Sequence, residues 1–292
     1  LPDSQSQEGR VNKYTAYALL GKVLLYQDRF ADAASALDNV IGVYSLVSDY
    51  GSQFLRFGEN GPESVFEIQY SNQSNWYDWG CAHCSEGNYA IIMNGPRGWS
   101  GPEYAQGWSF NVPTAEFYNS FEQGDSRRDA TVLDIEAFAA ATGANYTEGY
   151  DHTGYFNNKY IPRAGESGGQ TELNYLTNFR IIRYSDVLLM AAEAYNRGGI
   201  DDGLAQEFVN QVRRRAFGDN DHDISASGTA LTDAIWEERK FELSLEGHRF
   251  FDLVRTGRAA STIAGFVEGK HEVFPIPQQE VDISGLTQNA GY

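Results

Sequence analysis

Two proline-free stretches with only a very short break between them, residues 10–27 and 29–41, open the chain and set the strongest constraint on its fold. Within them Tyr17, Leu20, Gly21 and Leu24 are followed by Phe30, Ala33, Leu37 and Val40. Apolar residues three and four apart share one face of a helix. Gly21 and Ala33 are small where two antiparallel helices would approach closely, and the larger residues fill the space around them. A single pair of this kind cannot bury its own faces, so the rest of the chain has to supply neighbours.

The spacing is that of a tetratricopeptide unit, with Tyr and Leu replacing some of the usual aromatics. A second helical region is expected over residues 180–215, where Val187, Leu188, Met190, Ala191 and Ala194 form an apolar stripe. Gly198 and Gly199 end its first helix. Asp201 or Asp202 caps the next, which carries Phe208, Val209 and Val212. A third helix is expected over residues 231–254, with Ile235, Trp236, Leu243, Leu245, Phe250, Phe251 and Leu253. Residues 50–178 have another texture, rich in Gly, Asn, Ser, Tyr and Trp. There Ser64 to Tyr70 alternates as a strand does, a short helix follows Pro113 from Thr114 to Phe121, and the remainder reads mostly as loop. The expected fold is mainly α: a tetratricopeptide-like helical scaffold carrying a long loop-rich insert.

Composition narrows the functions available to such a scaffold. Hydrophobic residues make up 41% of 292, enough for a sizeable core. A net charge of −18 repels nucleic acid and anionic lipid, so neither is an expected partner. No apolar run approaches the ~18 residues that a membrane span needs. The chain starts at Leu1 without an initiator Met or a signal pattern, and is expected to be a processed or trimmed product. Aromatic residues reach 14%, and many lie in Gly-studded polar segments instead of periodic apolar ones, which points to a recognition surface.

Several motifs that suggest chemistry have simpler structural readings. Glu237, Glu238, Glu242, Glu246 and Asp252 could suggest a glycosidase, which needs two carboxylates facing one bond. Basic partners sit at helical spacing, however: Arg239 with Glu242, Glu246 with Arg249, Asp252 with Arg255. The expected role is therefore an ion-paired structural helix, with Gly247 marking close backbone approach. The run from Asp219 to Asp223 fails as a calcium loop because Ile224 and Ala230 stand where Gly and Glu are required. Neither a Gly-x-Ser-x-Gly elbow nor a phosphate-binding glycine loop occurs, and no cofactor is expected. Cys81 and Cys84, with His83 beside them, leave open a disulfide in an oxidising compartment, a zinc site with His83 as third ligand, a thioredoxin-like pair, and free thiols.

Residues 71–106 hold the candidate ligand site: Trp76, Tyr77, Asp78, Trp79, Asn88, Tyr89, Arg97, Trp99 and Tyr104. A flat ring stacks on the apolar C–H face of a sugar and stays half wet at low cost. Amide, carboxylate and guanidinium groups then select among the hydroxyls at the rim. Trp76 and Trp79 flank Tyr77 in a polar context, poor material for a core and suitable for a stacking platform. Tyr146, Tyr150, His152, Tyr155, Tyr160, Arg163 and Tyr175 could complete the site. Trp108 and Trp236 are expected to be structural.

Four stretches and the closing segment together resemble the SusD/RagB family. They are Ser64-Val65-Phe66-Glu67-Ile68-Gln69-Tyr70; Gly107-Trp108-Ser109-Phe110-Asn111-Val112-Pro113-Thr114 with Gly124-Asp125-Ser126-Arg127-Arg128; Phe179 through Ala194; and Glu237 through Leu243 with Glu246 through Arg255, followed by Val273-Phe274-Pro275-Ile276-Pro277. Members are typically longer, so the chain resembles a carboxy-terminal portion. The resemblance implies a lipoprotein of the outer-membrane surface, held to the membrane only through an amino-terminal lipid anchor that this chain lacks. It implies capture of oligosaccharide or polysaccharide, without catalysis, for a TonB-dependent, SusC-like transporter. Within one SusD-like domain it implies a helix pair at 1–49, a ligand-binding insert at 50–178 and a helical scaffold with closing segment at 179–292. A scaffold that docks the transporter, a binder of peptide or another nutrient, and a glycosidase are the rival readings.

Overall fold

The computed structural model describes residues 1–73, 79–168 and 173–292. The expected opening helices are α1 (Lys13–Tyr26) and α2 (Phe30–Asp38). Asn12 caps α1 by accepting from the Thr15 amide. The expected close approach is present: a Cβ on Gly21 would lie 2.5 Å from Leu37 Cγ, and Ala33 is fully buried. The insert then contributes β1 (Ser64–Ile68), α3 (Ala90–Asn94), β2 (Arg97–Ser100), α4 (Ala115–Asn119), α5 (Arg127–Thr131), β3 (Val132–Asp134), α6 (Ile135–Thr142), β4 (Asn145–Thr147) and β5 (Tyr155–Asn157). After it come β6 (Phe179–Arg183), α7 (Tyr184–Arg197), α8 (Asp202–Phe217), α9 (Gly228–Glu242), α10 (Arg249–Arg255), α11 (Ala259–Thr262) and α12 (Gln278–Ser284). The chain divides into two compact units, Leu1–Leu245 and Glu246–Tyr292.

In the larger unit α7 is the central helix. Tyr184 through Ala194 are all buried, and α1, α2, α8 and α9 pack on it. This supplies the neighbours that the first helix pair requires. Leu24, Leu25, Leu37, Val187, Leu188, Met190, Val209, Val212 and Ile235 belong to one contiguous core. Asp201 caps α8 by accepting from Leu204, and Thr114 caps α4 by accepting from Phe117.

Three expectations are corrected. Residues 179–183 form a strand, not the start of the second helical region. β6 pairs antiparallel with β1, placing Glu67 opposite Arg180 and Ile68 opposite Phe179. The expected helix over 231–254 is broken after Glu242, where Leu245 (φ 62°) and Gly247 (φ 86°) adopt left-handed backbone. Gly247 thus serves backbone conformation and not close approach, since a Cβ there would meet nothing within 4 Å. The insert is also more ordered than a loop. Antiparallel ribbons β2–β4 and β3–β5 surround two small cores, one built on Tyr50, Phe54, Ile91, Ile92, Tyr160 and Tyr175, the other on Trp99, Tyr104, Leu133, Ile135, Phe156 and Ile161.

Lys240 pairs with Glu237 within α9 at 2.6 Å, whereas the buried charged residues of this helix have tertiary partners. Arg239 pairs with Asp186 of α7 at 2.7 Å. Glu242 receives Arg127 at 3.1 Å, Arg183 at 2.8 Å and Arg215 at 2.6 Å. Glu238 receives Arg127 and Arg213. Asp252 and Arg255 of α10 make the expected pair one turn apart, at 2.8 Å.

Candidate functional site

The site is built on the carboxy-terminal end of α3, a helix of five residues whose last carbonyls have no partner within the helix. The run from Gly107 to Phe110 supplies the donors. Trp108 N donates to Ile92 O, Phe110 N to Met93 O, Ser109 N to Gly95 O and Gly107 N to Pro96 O, each at 2.8 Å. Ser109 Oγ accepts from the Arg97 amide at 3.1 Å. Ser109 (φ 58°) and Asn111 (φ 53°) both hold left-handed backbone. Together these bonds fix the direction in which the aromatic rings of the run project.

On this shelf lies an exposed aromatic ridge. Trp79 stacks on Trp108, with ring centroids 5.4 Å apart and planes inclined at 29°. Phe110 meets Trp108 edge-on at 6.4 Å and 87°, and the Arg97 guanidinium sits 5.7 Å from the Phe110 ring. Trp79 and Phe110 are each 53% exposed and Tyr89 is 45% exposed. Tyr89 precedes α3, a helix that spans only about 7 Å. Beside Tyr89, burial raises the Tyr70 hydroxyl above its ordinary pKa, and the nearby Tyr89 phenol adds to the rise. The Tyr70 phenol therefore remains a neutral hydrogen-bonding group at neutral pH. Offset rings with exposed faces, a guanidinium and a neutral phenol suit an uncharged polyhydroxylated ligand.

Of the residues expected at the site, Trp79 stacks on Trp108 and Arg97 lies beside the Phe110 ring, while Tyr89 is exposed at the amino-terminal end of α3. Trp76, Tyr77 and Asp78 lie outside the described residues. Asn88, Trp99 and Tyr104 are corrected to structural roles. Asn88 is 2% exposed; its amide donates to Thr177 O and its side-chain oxygen accepts from Ala90 N. Trp99 packs between Tyr104 and Phe138, at 5.9 Å from each. Tyr104 is buried and donates to Asn158 Oδ1 at 3.3 Å. Burial pushes its hydroxyl up to about 12. In the second stretch Tyr160 and Tyr175 belong to a core, and Tyr155 stacks on Tyr118 at 4.5 Å. Trp108, expected to be structural, also forms the middle of the ridge, and Phe110 is a ridge residue that the sequence reading misses. Their signal is the aromatic alternation in Gly107-Trp108-Ser109-Phe110-Asn111, where small polar residues separate two rings.

Cys81 and Cys84 are joined by a disulfide directly beyond Trp79. Among the described residues no group of three or more His, Cys, Asp and Glu side chains is disposed to hold a metal. Likewise, no helix among them is long and apolar enough to cross a membrane.

Comparison with known proteins agrees with this architecture. The family model described as the SusD family matches residues 62–292. SusD-like protein P2 of Formosa agariphila is 31% identical over 87% of this chain and 52% of its own length. The chain spans between 52% and 61% of the curated relatives it matches. Among solved structures, a laminarin binding SusD-like protein is 39% identical with a TM-score of 0.88, over 100% of this chain and 66% of that one. Surface glycan-binding protein A from Bacteroides thetaiotaomicron, in complex with laminarihexaose, is 32% identical with a TM-score of 0.89, over 99% and 66% respectively. Surface glycan-binding protein A from Bacteroides fluxus is 30% identical with a TM-score of 0.89, over 100% and 65%. The helical scaffold, the motifs in order and the matched residues lead to one assignment: the chain belongs to the SusD family.

Proposed function

We propose that this chain is a glycan-capture module that binds laminarin-type oligosaccharide on the Trp79–Trp108–Phe110 ridge without changing it chemically. The observation that carries the reading is the Trp79–Trp108 stack, an exposed indole lying on a half-buried one, because an indole held at the surface gains less from its neighbour than from burial in a core. The laminarihexaose complex of a protein 32% identical to this chain supports that ligand class. Burial of Glu238 and Glu242 in ion pairs removes them as hydrolytic carboxylates and supports binding in place of catalysis. In this reading the full-length protein sits at the outer-membrane surface and passes glycan to a TonB-dependent transporter, as family membership suggests.

Affinity at such a half-wet surface is modest, because the contact must also order the sugar chain. Titration calorimetry with laminarihexaose is expected to show binding by the wild-type chain and an approximately tenfold weaker Kd for Trp79→Ala, about 1.4 kcal/mol. Both proteins should keep the same unfolding midpoint. Equal affinity in wild type, Trp79→Ala and Phe110→Ala would remove the ridge as the site. Shortened sugars in the incubated mixture would overturn the non-catalytic part.

A further inference from the structure

We infer that the Cys81–Cys84 disulfide is a positioning element for the ridge, holding the backbone beyond Trp79 so that the indole rests on Trp108 before a ligand arrives. The inference rests on the reading of that ridge as the glycan surface.

The segment that carries Trp79 leaves the fold at a neck where Ser71 N donates to Glu86 O at 3.0 Å. Below the neck the chain is anchored to residues 173–175. Ser85 Oγ donates to Leu173 O at 3.3 Å, and Asn88 N donates to Tyr175 O at 2.8 Å. Gly87 lies so close to Asn174 that a Cβ would come within 2.2 Å of its Cα. Farther out, Trp79 to Cys84 form a turn-rich segment in which Cys81 is extended (φ −145°, ψ 66°). The Trp79–Trp108 stack ties this outer segment to the shelf, and the disulfide cross-links it internally.

The span of the disulfide decides what it can do. It joins residues only three apart, and the unfolded-state entropy removed by a cross-link grows with the length of the loop it closes. A bridge this short contributes little to global stability, and it connects no two elements of the scaffold. Its constraint is local and falls on residues 81–84, which follow Trp79 after a single glycine. Without it, the segment regains backbone freedom that must be removed again when sugar orders the indole. Preorganisation of this kind appears as affinity.

The test compares the oxidised chain with the same chain treated with dithiothreitol, and with the Cys81→Ser/Cys84→Ser variant. In the reduction the Sγ–Sγ bond breaks, and two electrons and two protons from the reagent give two thiols, while the reagent closes its own cyclic disulfide. The first readout needs no ligand: the far-UV circular-dichroism exciton couplet of the Trp79–Trp108 pair, identified by its absence in Trp79→Ala. The second is the laminarihexaose Kd. The couplet is expected to collapse on reduction and in the double Ser variant, with the unfolding midpoint little changed. Kd should rise about tenfold in the wild-type background and stay constant on reduction of Trp79→Ala, since the two losses share one pathway. A couplet that survives both treatments overturns the inference, as does an equal rise of Kd in the Trp79→Ala background. If the couplet collapses while the oxidised chain binds no glycan, the positioning role stands and the glycan reading falls.

Discussion

A Cβ on Gly107 would sit 2.3 Å from Gly95 Cα and 2.4 Å from the Gly95 carbonyl oxygen. That contact is what lets the run carrying Trp108 and Phe110 lie against the end of α3 and satisfy its carbonyls. Gly107→Ala must push the run off the helix, and overpacking against backbone costs about 1–3 kcal/mol. It is expected to lower the urea midpoint and weaken the Trp79–Trp108 couplet together. Gly143→Ala is the control. Its φ of 72° makes it unfavourable for an L side chain by about 1–2 kcal/mol, but a Cβ there meets nothing within 4 Å, so the couplet should not move. An unchanged couplet in both variants would argue against the shelf. The same scale shows what the sequence could reveal of the site. Trp79 stands out in the sequence because Asp78 and Gly80 beside it are poor material for a core. Trp99 has polar neighbours too, yet Phe138 and Tyr104 cover it, and contacts across dozens of residues leave no local pattern. Trp108 is the converse case, a motif residue packed on a core along one side and exposed to Trp79 on the other.

At the scale of elements, α1 is apolar on more than its buried side. Leu19, Leu20, Val23 and Tyr26 are between 39% and 53% exposed, and their spacing places them along one face. An apolar stripe on both sides of a helix is the pattern of a buried helix, and water is a poor neighbour for it. The isolated chain is therefore expected to self-associate as its concentration rises. Replacing Leu19, Leu20 and Val23 together by Gln should abolish that trend in sedimentation equilibrium while changing stability by no more than about 0.5 kcal/mol per site. A concentration-independent mass for the wild-type chain would refute the expectation. The helices themselves were legible because apolar periodicity over ten or more residues is hard to satisfy otherwise. Boundaries were less so. Phe179-Arg180-Ile181-Ile182-Arg183 leads directly into the stripe of α7, and only its pairing with β1 makes it a strand. The short ribbons β2–β4 and β3–β5 of the insert hold three or four residues per strand, too few for a periodic signal to rise above the surrounding loop.

At the scale of the whole molecule, a buried ionic cluster joins the insert to the helical scaffold. Arg127 of α5, Arg183 of β6 and Arg215 of α8 converge on Glu242 at the end of α9. Arg183 and Arg215 also reach Glu63, just before β1, and Lys159 Nζ donates to the Glu242 carbonyl at 3.0 Å. The four side chains around Glu242's carboxylate, Arg127, Arg183, Arg215 and Glu63, are at most 4% exposed. Removing one partner from such a cluster leaves charges buried without compensation, a loss of about 3–5 kcal/mol, and Glu242→Gln is expected to fall in that range. The pH dependence follows from the same contacts. Burial alone would raise the Glu242 carboxyl, but the guanidiniums of Arg215, Arg183 and Arg127 outweigh it and hold the group well below its ordinary value of 4.5. In the unfolded chain it titrates near ~4.3. Below that pH the unfolded state binds a proton that the folded state resists, so stability falls as pH falls. The contribution of Glu242 is thus complete above about pH 4.3 and is lost progressively beneath it. Urea midpoints measured from neutral pH downward should show a plateau and then a decline for the wild-type chain. Glu242→Gln should start lower and decline less steeply, so that the two curves converge in acid. Parallel curves would mean that the acid sensitivity of the fold resides in other carboxylates and that this cluster is not its main electrostatic tie.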